Sequence, residues 1–197
     1  MISKLAQRTA YFFVTLETIK EEDLAIYKYG LELLFSLVIN LVFVVAIALY
    51  FGKEIEITLF LLPYVVLRQL IGGYHARTHF VCTLLMIILL CTYIFFLDSI
   101  LATLSSRFVV ISMLSSFVLI YFLAPCEHPH KRILTMDVEN LRRKAFIALF
   151  AFAVINTWLI VFQKGSYAVL ISLGIATCTT VMVIGKLVYS KAHQVKI

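Results

Sequence analysis

Charge is what this sequence has little of. Seventeen Lys and Arg with eleven Asp and Glu make up 14% of its 197 residues, while 62% are hydrophobic and the mean hydropathy is +1.01. That leaves too little polar surface to clothe a soluble domain, which removes free-standing globular and nucleic-acid-binding classes. The marks of several other classes are missing too. Internal repeats, low-complexity tracts and linkers are absent, so a single domain is expected over residues 1–197. Within residues 1–23 the longest apolar stretch, Ala10 to Val14, is too short for the core of a secretory signal. The four cysteines, Cys82, Cys91, Cys126 and Cys178, lie within or beside apolar runs and do not read as a disulfide framework. Neither an H-E-x-x-H metalloprotease signature nor a G-x-x-x-G helix-pairing motif is present.

What the chain does have is membrane-length apolar sequence. Six runs, at 31–51, 55–71, 80–97, 108–124, 145–162 and 167–188, are each about as long as a bilayer core of roughly 30 Å requires of a helix. An all-α polytopic membrane protein with about six spans follows, because inside a bilayer the helix satisfies its own backbone. The second run is short and interrupted by Pro63 and Arg68, so it is expected to be tilted, kinked or re-entrant. Residues 1–28 form an amphipathic segment ahead of a bundle over 29–188 and a tail at 189–197. In that segment Ile2, Leu5, Phe12, Leu16 and Ile19 fall on one helical face and Lys4, Arg8, Glu17 and Lys20 supply the polar remainder, as in a helix lying in the membrane interface.

The basic residues give the orientation, since cytoplasmic loops hold the excess of Lys and Arg. With six spans, Lys4, Arg8, Lys20, Lys28, Arg68, Arg77, Lys131, Arg132, Arg142, Arg143, Lys144, Lys186, Lys191 and Lys196 fall on one side, and only Lys53, Arg107 and Lys164 on the other. Both termini are therefore expected in the cytoplasm. The net charge of +6 reflects this topology and does not call for nucleic acid.

The chemistry concentrates in the stretch from Arg68 to Cys82, which holds Gly72, Gly73, His75, Arg77 and His79. Cys82 opens the third run, where a helix N-terminus and nearby basic groups favour a thiolate. Cys91 and Cys178 lie in mid-run, where apolar burial suppresses one. On one continuous helix His75 and Cys82 would stand about 10 Å apart along the axis, beyond hydrogen-bond reach. A turn at Gly72-Gly73 folds the histidine back and offers backbone N–H groups to an oxyanion. Three readings stand together: a Cys82–His75 catalytic dyad, a plain cytoplasmic turn with an interfacial histidine, and a zinc site. The zinc site would use His75, His79 and Cys82, with Cys126, His128 and His130 as a second cluster.

These residues carry a resemblance. Arg68, Gly72-Gly73, His75 and Cys82 at this spacing, then Ala124-Pro125 opening a loop with Pro129 and Lys131, and the basic Arg142-Arg143-Lys144, resemble the AgrB family of membrane cysteine endopeptidases of Gram-positive quorum sensing. The resemblance extends over essentially the full length. It implies an enzyme of the bacterial cytoplasmic membrane, with its site near the cytoplasmic face, that cleaves the acidic C-terminal tail from an AgrD-type precursor peptide. Cys82 would be the nucleophile, His75 the base, and a thioester would pass to a thiolactone ring. No cofactor or metal is implied, and a homodimer is. Arg68, Lys131, Arg132, Arg142 and Arg143 become candidates for binding the precursor, with anionic headgroups as the competing partner of the basic loop. A small peptide transporter is the reading from another class; polar residues at mid-span, nearly limited to Asn40 and Asn156, speak weakly against it.

Overall fold

The computed structural model describes residues 2–16, 18–73, 79–125 and 135–194, with the side chains of 33, 79, 80, 82, 135–137 and 189–194 left aside. Among the described residues every regular element is helical. In chain order these are α1 (Ile2–Thr15), a single 3-10 turn (Glu21–Asp23), α2 (Leu24–Phe51), α3 (Glu54–Ile71), α4 (His79–Thr103), α5 (Ser106–Leu123), α6 (Thr135–Val161) and α7 (Gly165–Gln194). Each apolar run of the sequence lies in its own helix. Several helices outrun the apolar stretch, because a helix needs no lipid to continue once started: α2 begins at Leu24 and α6 at Thr135.

Five helical segments are long and apolar enough to cross a membrane, at 21–51, 83–103, 106–123, 138–161 and 165–188. The remaining run, the second at 55–71, forms α3, whose 18 residues include Glu54, Glu56 and Arg68 and which is not among the five. Three charges on so short a helix offset much of its apolar transfer energy.

The chain divides into two compact units, Met1–Gly52 with Arg77–Cys91 and Lys53–Ala76 with Thr92–Ile197. In the first, α1 packs on α2. The inward face of α1 is Ala6 and Ala10, both fully buried, while Leu5, Phe12 and Leu16 are exposed. Small side chains let two helix backbones approach closely, so Ala6 and Ala10 meet α2 while the bulky face is left outward. Gly52 ends α2 in a left-handed conformation (φ 60°), its N–H donating to the carbonyls of Ala48 and Leu49.

In the second unit α7 is the central helix, packed against α3, α5 and α6. Its apolar window is 61% buried, against 28% for those of α5 and α6. The core joins Leu67 and Ile71 of α3, Val109, Met113 and Ile120 of α5, Ala145 and Leu149 of α6, and Ile175, Cys178 and Met182 of α7. The α3–α7 crossing is tight at Gly174. A Cβ there would overlap the Phe60 carbonyl oxygen and lie 3.0 Å from Pro63 Cγ. Tyr93, from the half of α4 in this unit, stacks on Phe60 at 4.3 Å between ring centroids and donates its hydroxyl to the Glu56 carbonyl at 3.2 Å.

Polar groups inside the unit are mostly paired across helices. Asn156 Nδ2 on α6 donates to Ser172 Oγ on α7 at 3.0 Å, and Ser116 and Thr179 share a hydroxyl contact at 3.4 Å between α5 and α7. Asn156, one of the few polar residues at mid-run, is thus tied across two helices. The side-chain oxygens of Asn156 and Asn40 are buried without a hydrogen-bond partner among the described residues.

Candidate active site

The stretch from Arg68 to Cys82 begins where α3 stops, and it stops for a reason visible in the backbone. Gly72 takes φ 71°, ψ −148° and Gly73 takes φ 136°, conformations open at little cost only to glycine. The Gly72 N–H donates to the Arg68 carbonyl at 3.1 Å, and the Arg68 guanidinium returns a bond to the Gly72 carbonyl at 3.4 Å. Arg68 and Gly72 thus close a reciprocal pair at the helix end, where a cation also complements the helix dipole. Gly73 lies against the same guanidinium. A Cβ on it would overlap an Arg68 terminal nitrogen and stand 3.3 Å from the Met182 Cα of α7.

Because the Gly72 N–H is committed to the helix end, Gly73 is the better candidate of the two for an oxyanion donor. Arg68 is part-buried in its bond to Gly72 and packs at the α3–α7 seam. The cost of partly burying the cation is lowered there by the backbone carbonyl it meets.

Cys82 is the fourth residue of α4, within its first turn. Its backbone belongs to the first unit and Gly72-Gly73 to the second. His75, Arg77, Cys126, His128, Pro129, His130, Lys131 and Arg132 lie outside the described residues. Cys91 is exposed on α4 and Cys178 fully buried on α7. Among the described residues no group of three His, Cys, Asp or Glu is disposed to hold a metal ion.

The second basic region has a structural occupation that sequence alone did not disclose. Both Arg142 Nε and a terminal nitrogen donate to the Ala124 carbonyl, at 3.1 and 2.8 Å. Lys186 Nζ donates to the neighbouring Leu123 carbonyl at 3.1 Å. Two cations from α6 and α7 therefore serve the last carbonyls of α5, which have no partner inside their own helix. Arg143, at the next position of α6, is exposed along with its neighbour Lys144, on the polar start of that helix. The sequence placed Arg142 with the precursor-binding candidates and Lys186 among the basic residues of one membrane side; nothing in their spacing names a carbonyl 18 or 63 residues away.

A helical bundle with membrane-crossing segments, a thiol-bearing residue in the first turn of one helix and a glycine-terminated helix just upstream in the chain define a multi-pass membrane protein. The family model described as Accessory gene regulator B matches residues 4–184, and the chain belongs to that AgrB family. A chain from Clostridium beijerinckii described as an AgrB-like protein is 23% identical over 160 residues, covering 77% of this chain and 72% of the relative. No solved structure matches. Membership brings a role in the agr quorum-sensing system.

Proposed function

We propose that this protein is a membrane cysteine endopeptidase that removes the C-terminal tail of an AgrD-type precursor and closes the remaining peptide into a thiolactone. The observation that carries the reading is the family match, whose span includes both His75 and Cys82. The position of Cys82 in the first turn of α4 supports it chemically, because a helix N-terminus stabilises a thiolate. Cys82 as thiolate attacks the scissile carbonyl, and the tail leaves as an amine that takes its proton from His75. The thioester keeps the energy of the broken amide. A cysteine thiol within the precursor then attacks it, giving up its proton to His75 as the Cys82 sulfur departs, and the ring closes. Gly73 is the oxyanion donor in this scheme.

Six crossings are part of the proposal, with α3 as the charged one, its Arg68 end at the cytoplasmic face. Both termini then lie in the cytoplasm of a bacterial cell, in accord with the distribution of basic residues. The partners are the precursor, the lipid bilayer and a second copy in a homodimer.

Intact mass spectrometry of the detergent-purified protein incubated with a synthetic AgrD-type precursor tests the reading. A mass increase equal to the acylating fragment, present in wild type and absent in Cys82→Ala, with release of the tail peptide, is the expected result. Tail release that survives Cys82→Ala would sink it.

A further inference from the structure

Three helices of the second unit converge on the end of α5. The apolar windows of α5 and α7 close at 123 and 188, and that of α6 opens at 138. Arg142 and Lys186 stand within about one turn of those limits. Both reach the same place, Arg142 the Ala124 carbonyl and Lys186 the Leu123 carbonyl beside it. Two full positive charges thus meet a helix C-terminus worth about −0.5 of a charge, which leaves roughly +1.5 without compensation. Among the described residues neither cation makes an ion pair, although Glu139 lies one turn before Arg142 on α6. Donors remain as well as charge, since a guanidinium and an ammonium carry more N–H groups than the two carbonyls take up.

We propose that this corner binds one anionic phospholipid, its phosphodiester held between Arg142 and Lys186 and its acyl chains laid on the apolar surface beside them. Depth supports this, because cations at the ends of apolar spans stand where headgroup phosphates lie. Access supports it too. Phe122 in the last turn of α5, and Leu187 and Val188 next to Lys186 on α7, are exposed apolar side chains, so the cations border a face suited to lipid. An acidic peptide arriving from water meets the exposed Arg143 and Lys144 first, whereas Arg142 is part-buried in its bonds to Ala124. A zwitterionic lipid carries the same phosphate with a cation attached, and the surplus positive charge of the corner disfavours it. The site is independent of the Cys82–His75 chemistry. Its occupant would give α6 and α7 a shared partner at the end of α5.

The test is native mass spectrometry of the full-length protein in a neutral detergent, titrated with dioleoylphosphatidylglycerol, dioleoylphosphatidylcholine and inorganic phosphate. The glycerol lipid should form one adduct ahead of the rest, with an affinity at least about fivefold above that of its second adduct and of the choline lipid. Lys186→Gln should weaken that adduct about fivefold, the weight of one cation near a headgroup, and Arg142→Gln by as much. Arg143→Gln and Lys144→Gln, neighbours on α6, should each change it by less than about twofold. With Arg142 and Lys186 both replaced, the first adduct should be no tighter than the second. If Arg143→Gln weakens the adduct as much as Lys186→Gln does, diffuse basic charge holds the lipid and the site is overturned. Equal binding of the two lipids overturns it too, as does inorganic phosphate that binds as tightly as the lipid. A hexaglutamate peptide that displaces the lipid in a Lys186-dependent way would assign the corner to a peptide instead. Should Arg142→Gln fail to fold by size-exclusion chromatography, two variants still decide: Lys186→Gln, at an exposed position, and Arg142→Lys, which should retain the adduct.

Discussion

Replacing Gly174 by alanine should destabilise this protein, although the same change in an ordinary helix does the opposite. In a helix interior Ala is favoured over Gly by about 1 kcal/mol, through the entropy that glycine loses on folding. At Gly174 the new methyl would overlap the Phe60 carbonyl oxygen, at 3.1 Å from the Phe60 carbonyl carbon and 3.0 Å from Pro63 Cγ. None of these obstacles is a side chain that can rotate away. One is backbone and the other a closed ring, so α3 and α7 must separate. Overpacking of this kind costs about 1–3 kcal/mol, and rigid neighbours place it near the upper figure. Setting about 3 against a gain of about 1 leaves a net loss of about 2 kcal/mol, or roughly a 30-fold fall in the folded-to-unfolded ratio. Gly30→Ala on α2 is the internal control, for nothing stands within 4 Å of its added Cβ. That variant should be neutral or more stable by up to about 1 kcal/mol. The assay is denaturant-driven unfolding in detergent micelles, followed by the fluorescence of the single tryptophan, Trp158. If Gly174→Ala proved as stable as Gly30→Ala, the close crossing of α3 and α7 would be wrong.

Arg142→Gln should cost about 2 kcal/mol in the same unfolding assay, the worth of a charged donor to the Ala124 carbonyl, and Arg142→Lys about half as much. A precursor-binding role with no structural part would instead leave stability unchanged. Asn156→Leu combined with Ser172→Ala should be neutral or stabilising, because it removes both partners of the bond and a buried oxygen without a partner among the described residues, whereas Ser172→Ala alone should cost about 1–3 kcal/mol by stranding Asn156 Nδ2 as well. The opposite order in calorimetry would show that the Asn156 oxygen has a donor. Precursor processing by Cys91→Ala and Cys178→Ala should stay within a few-fold of wild type while Cys82→Ala abolishes it, and a chelator should leave the wild-type rate unaltered. Loss of processing on chelation, restored by zinc, would return the metal reading.

The helices were legible in the sequence wherever apolar length decides the matter. All six runs lie in helices, and the runs at 31–51 and 55–71 end on the same residues as α2 and α3, since Gly52 and Gly72 stop them chemically. Less legible was which side chains turn inward. On α1 the face of Leu5, Phe12 and Leu16, read as that of an interfacial helix, is exposed, while the residues that meet the close partner, Ala6 and Ala10, went unnamed in the sequence, because contact between helices rewards smallness as much as hydrophobicity. Five segments meet the length and hydropathy of a crossing against six apolar runs, the difference being α3 with its Glu54, Glu56 and Arg68. At the candidate site, the need for two glycines was readable from the pair itself, while the reason lay in Arg68 and in Met182, more than a hundred residues downstream. No local rule connects those positions. The same holds for Arg142 and Lys186, whose carbonyl partners are fixed only once α5, α6 and α7 are assembled.

That last arrangement bears on how the protein is made. The carbonyl of Leu123 waits for a lysine 63 residues later in the chain. At about 5–20 residues per second, a ribosome needs roughly 3–13 s to supply it. Through that interval α5 stands in the membrane with its final carbonyls bare, first relieved by Arg142 and only then by Lys186. A chain truncated after α6 would keep the Arg142 bond to Ala124 and lack the Lys186 bond to Leu123.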